Sequence, residues 1–264
     1  MKKTMKFLLL SLAVLFIGLS AMAQSPYGEV NFIKVLPNMG ESFLIDMKTS
    51  KKLQNGRVAN KTITSWQLYR RTYPRGSSME YNYATLSVFP SGKEMKAQGT
   101  WDAAIKGLSV QDISDFFTSL NNVRSVVATD LYTHKMGTGS RILPGDYVQL
   151  NLVNAKTGSN AAYEKVLESL KPVIDECITA GKLKGYNVWK RTYNTNVWSE
   201  SDYTVSFSFS TLDQALSWVS GKTSMTDEYK KVYPKEDINI FTTKLNELRE
   251  LVSQELWELV DSTD

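Results

Sequence analysis

The sequence predicts an α+β protein in which two tandem split βαβ units pack sheet to sheet as one intrachain barrel. Two observations predict this class: a repeat that runs through the chain after an N-terminal export signal, and an element order that is the same in both copies. We therefore divide the chain into a signal peptide (1–23), a first repeat (24–140) and a second repeat (141–264).

The N-terminal segment has the form of an export signal. Three lysines precede an apolar run over residues 7–19, and the segment ends in Ala-Met-Ala, a small-x-small site that signal peptidase accepts. We expect cleavage between Ala23 and Gln24 and a mature protein in the periplasm or outside the cell. The apolar run is shorter than the ~20 residues of a spanning helix. We therefore expect no membrane span once the signal is removed.

The charge balance argues against a nucleic-acid partner. The chain has 31 basic and 27 acidic residues, and three of the lysines belong to the signal, so the mature protein is almost neutral. Binding to nucleic acid needs a basic surface that displaces counterions from phosphates. The one cysteine, Cys177, cannot form an internal disulfide, so apolar burial must hold the fold together. A monomer would suffice, and the residues leave the oligomeric state open.

An internal repeat covers most of the mature chain. Residues 27–91 align without a gap with residues 147–211 at an offset of 120, so that WQLYRRTYP recurs as YNVWKRTYN. A second block, residues 112–132, recurs as residues 237–257 at an offset of 125. Two blocks in the same order indicate a duplicated unit.

Each copy opens with a strand in which polar and apolar residues alternate, EVNFIKV in the first and YVQLNLV in the second. An amphipathic helix follows, and Pro172 predicts a kink or two short helices in the second copy because proline removes a helical hydrogen bond. Two strands come next. They are WQLYRRTY and YATLSVF in the first copy, and YNVWKRTY and YTVSFSF in the second.

The last part of each unit starts as a helix with an acidic first turn, at Asp112 and at Asp237, and helical spacing continues to Val127 in the first copy. The ends of these segments, TDLYTHKM and QELWELVD, leave helix and strand open, although the alternation in ELWELV favours a fourth strand. The order β-α-β-β-α-β is that of a ferredoxin-like unit, present twice.

These elements resemble the dimeric α+β barrel superfamily, which includes NIPSNAP-like proteins and antibiotic-biosynthesis monooxygenases, here with both halves in one chain. The resemblance is carried by an aromatic residue where the first helix opens (Phe43, Tyr163), the strand W-x-L-Y-R or Y-x-V-W-K, and the next strand (83–89, 203–209). It implies two sheets packed face to face. For an enzyme of this kind, it implies monooxygenase or isomerase chemistry without a cofactor.

Strand alternation predicts which side chains face the space between the sheets. We expect the first strands to turn their polar residues inward, and the second strands to turn inward an aromatic and basic set. The candidate ligand-binding residues are Asn31, Gln67, Tyr69, Arg71, Tyr73, Asn151, Asn187, Trp189, Arg191 and Tyr193.

Two arginines in this set, Arg71 and Arg191, need partners if they are buried. In one interpretation they pair with the nearby acids Glu29, Glu80 and Glu200 in a packed interface. In the other, the space is a pocket for a small amphipathic molecule with aromatic walls and an arginine for its polar end.

The sequence shows no constellation for catalysis or metal binding. His134, the one histidine, lies in a predicted hinge between the halves, THKMGTGSRILPGD, without visible partners. We therefore predict no metal site and no cofactor. Members of the superfamily that degrade haem use a histidine ligand, and no position here matches it. Cys177 fits as a small apolar residue on a helix face.

The leading hypothesis at this stage is an exported, non-enzymatic protein that binds a small amphipathic ligand or a protein partner between its sheets. A cofactor-independent monooxygenase- or isomerase-like enzyme is the first alternative. A purely structural protein of the cell envelope is the second.

Overall fold

The order of elements is the same in the two halves of the chain apart from additional short helices. The computed structural model describes residues 25–74, 80–96, 105, 108–193 and 201–263. The predicted cleavage site, Ala23 and Gln24, and the predicted partner Glu200 lie outside the described residues.

In the first half the elements are β1 (Tyr27–Val35), α1 (Gly40–Ala59), β2 (Ser65–Tyr73), β3 (Tyr83–Phe89), α2 (Gly92–Lys96), α3 (Val110–Val123) and β4 (Arg124–Gly139). In the second half they are β5 (Tyr147–Ala155), α4 (Asn160–Thr179), β6 (Gly185–Tyr193), β7 (Tyr203–Phe209), α5 (Leu212–Val219), α6 (Thr226–Val232), α7 (Ile238–Leu248) and β8 (Arg249–Ser262).

The eight strands form a single closed barrel in the order β1-β3-β2-β8-β5-β7-β6-β4. All neighbours pair antiparallel. Closure removes exposed sheet edges along the shared length of the strands and encloses an interior between the two halves. The predicted class, an α+β fold of two ferredoxin-like units joined as an intrachain barrel, is confirmed.

The last strand of each half connects the two halves. The start of β4 pairs with β1 of its own half, and its end, from Leu131 to Gly139, pairs with β6 of the other half. In the same way β8 pairs with β5 of its own half and then, from Leu256 to Ser262, with β2. The barrel is therefore closed by an exchange of strands.

The two segments that the sequence left open between helix and strand, TDLYTHKM and QELWELVD, lie in strands β4 and β8. In the first half the strand begins earlier than the helical spacing predicted. Helix α3 ends at Val123, so the expectation that it continues to Val127 is wrong. From there on the buried positions alternate, with Ala128, Asp130 and Tyr132 facing inward. This period of two buries more surface against the barrel interior than a longer helix would.

The helices pack on the outside of the barrel and form a separate apolar core with each half. Helix α4 is continuous through Pro172, so two short helices do not form there. The proline costs about 3 kcal/mol, whereas each large apolar residue that the helix buries contributes about 1.5–3 kcal/mol. Tyr163, Leu167, Val173 and Ile174 are all buried, which outweighs the cost.

Within the described part of the chain, no helix combines the length and the apolar character that crossing a membrane requires.

Candidate functional site

A cavity of about 290 Å³ lies inside the barrel and is lined by side chains from all eight strands. Its volume is close to the lower end of small-molecule pockets, about 300–1,000 Å³. Aliphatic and aromatic residues make up most of the wall. The polar members are Gln67, Tyr69, Tyr132, Ser140, Arg141, Asn187, Thr204, Ser206, Ser208 and Glu255.

The first strands turn the opposite face to this cavity from the one predicted. Val30 lines the cavity from β1, and Leu150 lines it from β5, so Asn31 and Asn151 face the helix side. There Thr129 Oγ1 donates to Asn31 Oδ1 at 2.7 Å. The prediction is wrong by one residue because both faces of these strands carry apolar side chains, and burial beneath the helices decides which face turns outward.

The same correction holds for the amide network of the second half. Gln254 Nε2 donates to Asn151 Oδ1 at 2.7 Å, and Gln149 Nε2 donates to the same oxygen at 3.2 Å. These amides bind one another outside the cavity, although the buried Oε1 of Gln149 has no hydrogen-bond partner among the described residues. Glu29 also lies on this side. Burial lowers the pKa of Arg57, and the negative charge of Glu29 opposes this effect.

The second strands place four of the candidate residues on the cavity wall: Gln67, Tyr69, Asn187 and Trp189. Tyr69 donates its hydroxyl to Gln67 Oε1 at 2.8 Å, and burial strongly raises the pKa of this tyrosine. The phenol is therefore protonated at every physiological pH. Whether these four residues bind a ligand stays a prediction.

The other candidates on these strands do not line the cavity. Tyr73 is 44% exposed and Tyr193 is 67% exposed, so the inward direction predicted for them is wrong. Both lie at the ends of their strands, where the pairing register shifts. Arg71 and Arg191 are buried beside the cavity and not in its wall.

Arg71 is neutralised by a carboxylate of the other half. Its Nη2 donates to Glu255 Oε1, and 7% and 3% of the two side chains are exposed. Tyr81 and Trp257 also donate to this carboxylate, at 2.8 and 2.9 Å. The guanidinium carbon lies 4.5 Å from the centre of the Tyr81 ring, a cation–π distance.

Arg191 has a matching partner on the neighbouring strand β4, which belongs to the other half. Its Nε lies 3.9 Å from Oδ2 of Asp130, which is fully buried, and its Nη2 donates to Ser201 Oγ at 2.6 Å. Tyr132 donates to Asp130 Oδ2 at 3.2 Å. Burial raises the pKa of Tyr132, so it keeps the proton that it donates.

The acids that pair with the arginines are not the ones that sequence reasoning selected. Glu80 is exposed, and Glu255 and Asp130 take its place. A signal for them existed, because Asp130 and Glu255 are equivalent at the offset of 125, as are Tyr132 and Trp257. Both pairs lie in the block whose ends were left open between helix and strand. Arginine pairing and a cavity therefore coexist, whereas the packed-interface interpretation expected no cavity.

His134 lies in β4 and not in a hinge. Its ring packs edge-on against Trp189 with centroids 4.7 Å apart, and its Nε2 lies 3.3 Å from Asn187 Oδ1. Burial lowers the pKa of His134, opposed by the hydrogen bonds to Asn187 and to the backbone of Met136. The neutral imidazole therefore contacts two cavity residues, Trp189 and Asn187, from outside the cavity wall.

The residues present do not fit a haem held by histidine. The described cavity lining includes no histidine, cysteine or methionine side chain, and these are the common axial ligands together with tyrosine. Among the described residues, no group of three or more His, Cys, Asp or Glu side chains could hold a metal ion. Cys177 is buried on α4, where burial raises the pKa of its thiol to about 11.

No protein-family model matches this sequence, and no curated protein sequence matches it. Solved structures do share its fold. A presumed monooxygenase from Fusobacterium nucleatum superposes with a TM-score of 0.59 at 6% identity, covering 92% of this chain and 96% of that chain.

Two further structures agree with this result. An anthrone oxidase-like protein has a TM-score of 0.54 at 10% identity, over 92% of this chain and 94% of its own. A presumed monooxygenase from Lactobacillus acidophilus has a TM-score of 0.53 at 11% identity, over 91% of this chain and 96% of its own. The neighbours have ferredoxin-like α+β folds of the antibiotic-biosynthesis-monooxygenase kind, and at these identities they establish the fold alone.

The leading hypothesis of a non-enzymatic binding protein is wrong. The neighbours that share this fold over nearly the whole chain are named for oxidation chemistry, and they favour the enzymatic alternative.

Proposed function

We propose that this chain is a cofactor-independent enzyme of the monooxygenase kind that oxidises a small, largely apolar substrate inside the barrel. The observation that carries the proposal is the cavity wall, which combines aliphatic and aromatic surface with a few convergent amide and hydroxyl groups. Such a wall holds an apolar body and orients its polar atoms. The names of the structural neighbours point to the same class of reaction.

The reaction that suits this wall starts from a substrate with an acidic C–H bond next to a carbonyl group. The substrate gives up this proton to a base from the solvent, and the electron-rich enolate that results reacts with dioxygen directly. A CH₂ group and O₂ become a C=O group and water, so dioxygen is both the oxidant and the source of the new oxygen atom. The chain then has to bind, orient and stabilise charge, and it need not supply electrons.

The amide side chains are placed for that task. Asn187 and Gln67 reach the cavity from opposite halves, and their N–H groups can donate to a developing enolate oxygen. His134 holds Asn187 from outside the wall. Trp189 and Tyr69 supply flat surfaces against which a planar enolate can stack.

An isomerase is the second candidate, because the same enolate can be reprotonated at another carbon without dioxygen. The amide groups that stabilise the enolate serve this reaction equally, and His134 holds Asn187 for it from outside the wall. Dependence of turnover on dioxygen separates the two reactions.

We further propose that the protein is exported after cleavage between Ala23 and Gln24, that it arose by tandem fusion of one ferredoxin-like unit, and that its repeats divide near residue 140. The lysine-rich start, the apolar run and the recurring blocks support these statements. Mass spectrometry of the secreted or periplasmic protein tests the first of them, with Gln24 expected as the N-terminal residue.

The proposed function is tested by dioxygen consumption with a panel of enolisable and phenolic compounds, after dialysis against a chelator. We expect turnover that Asn187→Ala lowers about 100-fold, the usual effect of losing one oxyanion donor. Tyr193→Ala is the matched control, because this exposed residue lies outside the cavity and should leave turnover unchanged. Turnover that is indifferent to Asn187→Ala, or that requires an added metal, would contradict the proposal.

A further inference from the structure

The two sides of the cavity wall differ in polarity although they occupy equivalent strands. β3 lines the cavity with Ala84, Leu86 and Val88. At the offset of 120, β7 lines it with Thr204, Ser206 and Ser208. Three aliphatic positions in the first half are therefore three hydroxyl positions in the second. A ligand that fills this space meets an apolar side and a hydrogen-bonding side.

The hydroxyl row leads toward the linker between the halves. Thr204 pairs with Trp189, and Ser208 pairs with Gly185 at the other end of the row. A Cβ on Gly185 would lie 2.9 Å from Ser208 Oγ and 3.7 Å from the Ser140 carbonyl, so glycine at this position lets the row approach the linker closely. The linker residues Ser140, Arg141 and Ile142 form this part of the wall.

Arg141 is the cation of this wall. The two charged residues of the lining are Glu255 and Arg141, and Glu255 is already neutralised by Arg71. The guanidinium of Arg141 donates through Nη2 to the Thr263 carbonyl, and within the described ranges no carboxylate lies in ion-pair distance of it. A planar guanidinium with further N–H donors is suited to a carboxylate or sulfonate.

We propose that the cavity selects apolar molecules that carry one anionic group, a carboxylate or sulfonate, which binds Arg141 at the linker end while the apolar body lies between β3 and β7. This inference rests on the proposed function, because it names the class of substrate for the same cavity. Arg141 is a specificity-determining residue in this arrangement. Arg141 is an exposed residue, so salt weakens its attraction for the anion.

Two dyes with the same ring system test the inference: 8-anilino-1-naphthalenesulfonate, which is anionic, and N-phenyl-1-naphthylamine, which lacks the sulfonate. We expect Arg141→Gln to weaken binding of the anionic dye about tenfold, the equivalent of one partly screened charge-assisted hydrogen bond. Binding of the neutral dye should not change. Arg141→Lys keeps the charge and should retain most of the affinity.

Lys244→Gln is the control for net charge, since Lys244 is an exposed residue of α7 outside the cavity wall. Val88→Trp fills the cavity and should abolish binding of both dyes. The inference is overturned if Arg141→Gln affects both dyes equally or neither, or if the anionic dye still binds the filled cavity.

The outcome separates this inference from the proposed function. Suppose that the protein turns over substrates and that its Arg141→Gln variant binds the anionic dye normally. This result would contradict the anion site and leave the proposed function intact. If instead dye binding depends on Arg141 and no substrate is turned over, the enzymatic proposal is contradicted and the anion site is retained.

Discussion

The two buried arginine sites of the barrel have the same design and different surroundings. In the first, Arg71 contacts Glu255 directly and lies against the rings of Tyr81 and Trp257. In the second, Arg191 lies 3.9 Å from the carboxylate of Asp130 and donates to a serine hydroxyl. In the first site aromatic rings lie against the guanidinium, whereas in the second a serine hydroxyl binds the guanidinium and Tyr132 donates to the acid.

This difference shows what the two halves have in common. In both sites an arginine from one half meets an acid from the other, so the arginines hold the halves together through the exchanged strands. The groups around each pair differ between the halves, as do the residues of β3 and β7 on the cavity wall. Charge pairing between halves is kept, whereas the polarity of the interior differs from one side to the other.

The largest effect that tests this comparison of the two arginine sites is expected at Glu255. Glu255→Gln removes the charge that neutralises Arg71, and the loss of one partner of a buried ion pair costs about 3–5 kcal/mol in the free energy of unfolding. Urea denaturation measures this cost. Glu258→Gln is the matched control, because its partner Arg70 has 50% of its side chain exposed and such pairs contribute about 0–1 kcal/mol. Equal costs for the two variants would contradict the role given to Arg71.

The second site should be less sensitive. We expect Asp130→Asn to cost about 1.5–3 kcal/mol, the range for hydrogen bonds that involve a charged group. The reason is that Arg191 keeps its bond to Ser201, and its Nε is farther from the carboxylate than Arg71 Nη2 is from Glu255. The same denaturation experiment gives the ranking. A larger cost for Asp130→Asn than for Glu255→Gln would reverse our assessment of the two sites.

The smallest expected effect is a pH dependence that belongs to one half. His134 corresponds at the offset of 125 to Leu259, which does not titrate. Because burial lowers the pKa of His134 in the folded state, the unfolded chain takes up the proton first as the pH falls below the ordinary value of 6.5. Its contribution to stability is complete above that value and is lost as the pH falls toward the folded pKa.

The measurement is the urea midpoint at about pH 7.5 and about pH 5.5. His134→Gln should lose less stability between the two conditions than the parent protein does. An identical loss in both proteins would mean that other groups cause the acid sensitivity.

Local patterns predicted the class of fold because each half repeats its hydrophobic alternation and its Thr-Tyr strand. They failed at β1, β4 and β5 for a physical reason. In β1 the residues Val30 and Ile33 lie on opposite faces, so alternation could not say which face turns to the helices. Pairing between strands of different halves depends on the closed barrel, which a local window does not contain.

The candidate site was predicted in part for the same reason. Gln67, Tyr69, Asn187 and Trp189 lie on the cavity wall because the second strands carry clear faces. Arg141 was assigned to a linker, and a linker gives no periodic signal. The hydroxyl row of β7 alternates with apolar residues, a pattern that any half-buried strand shows. Its role as the polar side of the cavity is recognised only when β7 is compared with the aliphatic row of β3.

The position of β8 between β2 and β5 bears on how the protein comes to be folded during synthesis. Trp66 N donates to Thr263 Oγ1, a hydrogen bond between groups 197 positions apart in the chain. Until β8 has left the ribosome, β2 lacks one neighbour and Arg71 lacks its acid. The barrel can therefore close only after β8 has been synthesised, by a slow search for distant partners, and a chain that lacks β8 would expose an unpaired sheet edge and an uncompensated cation.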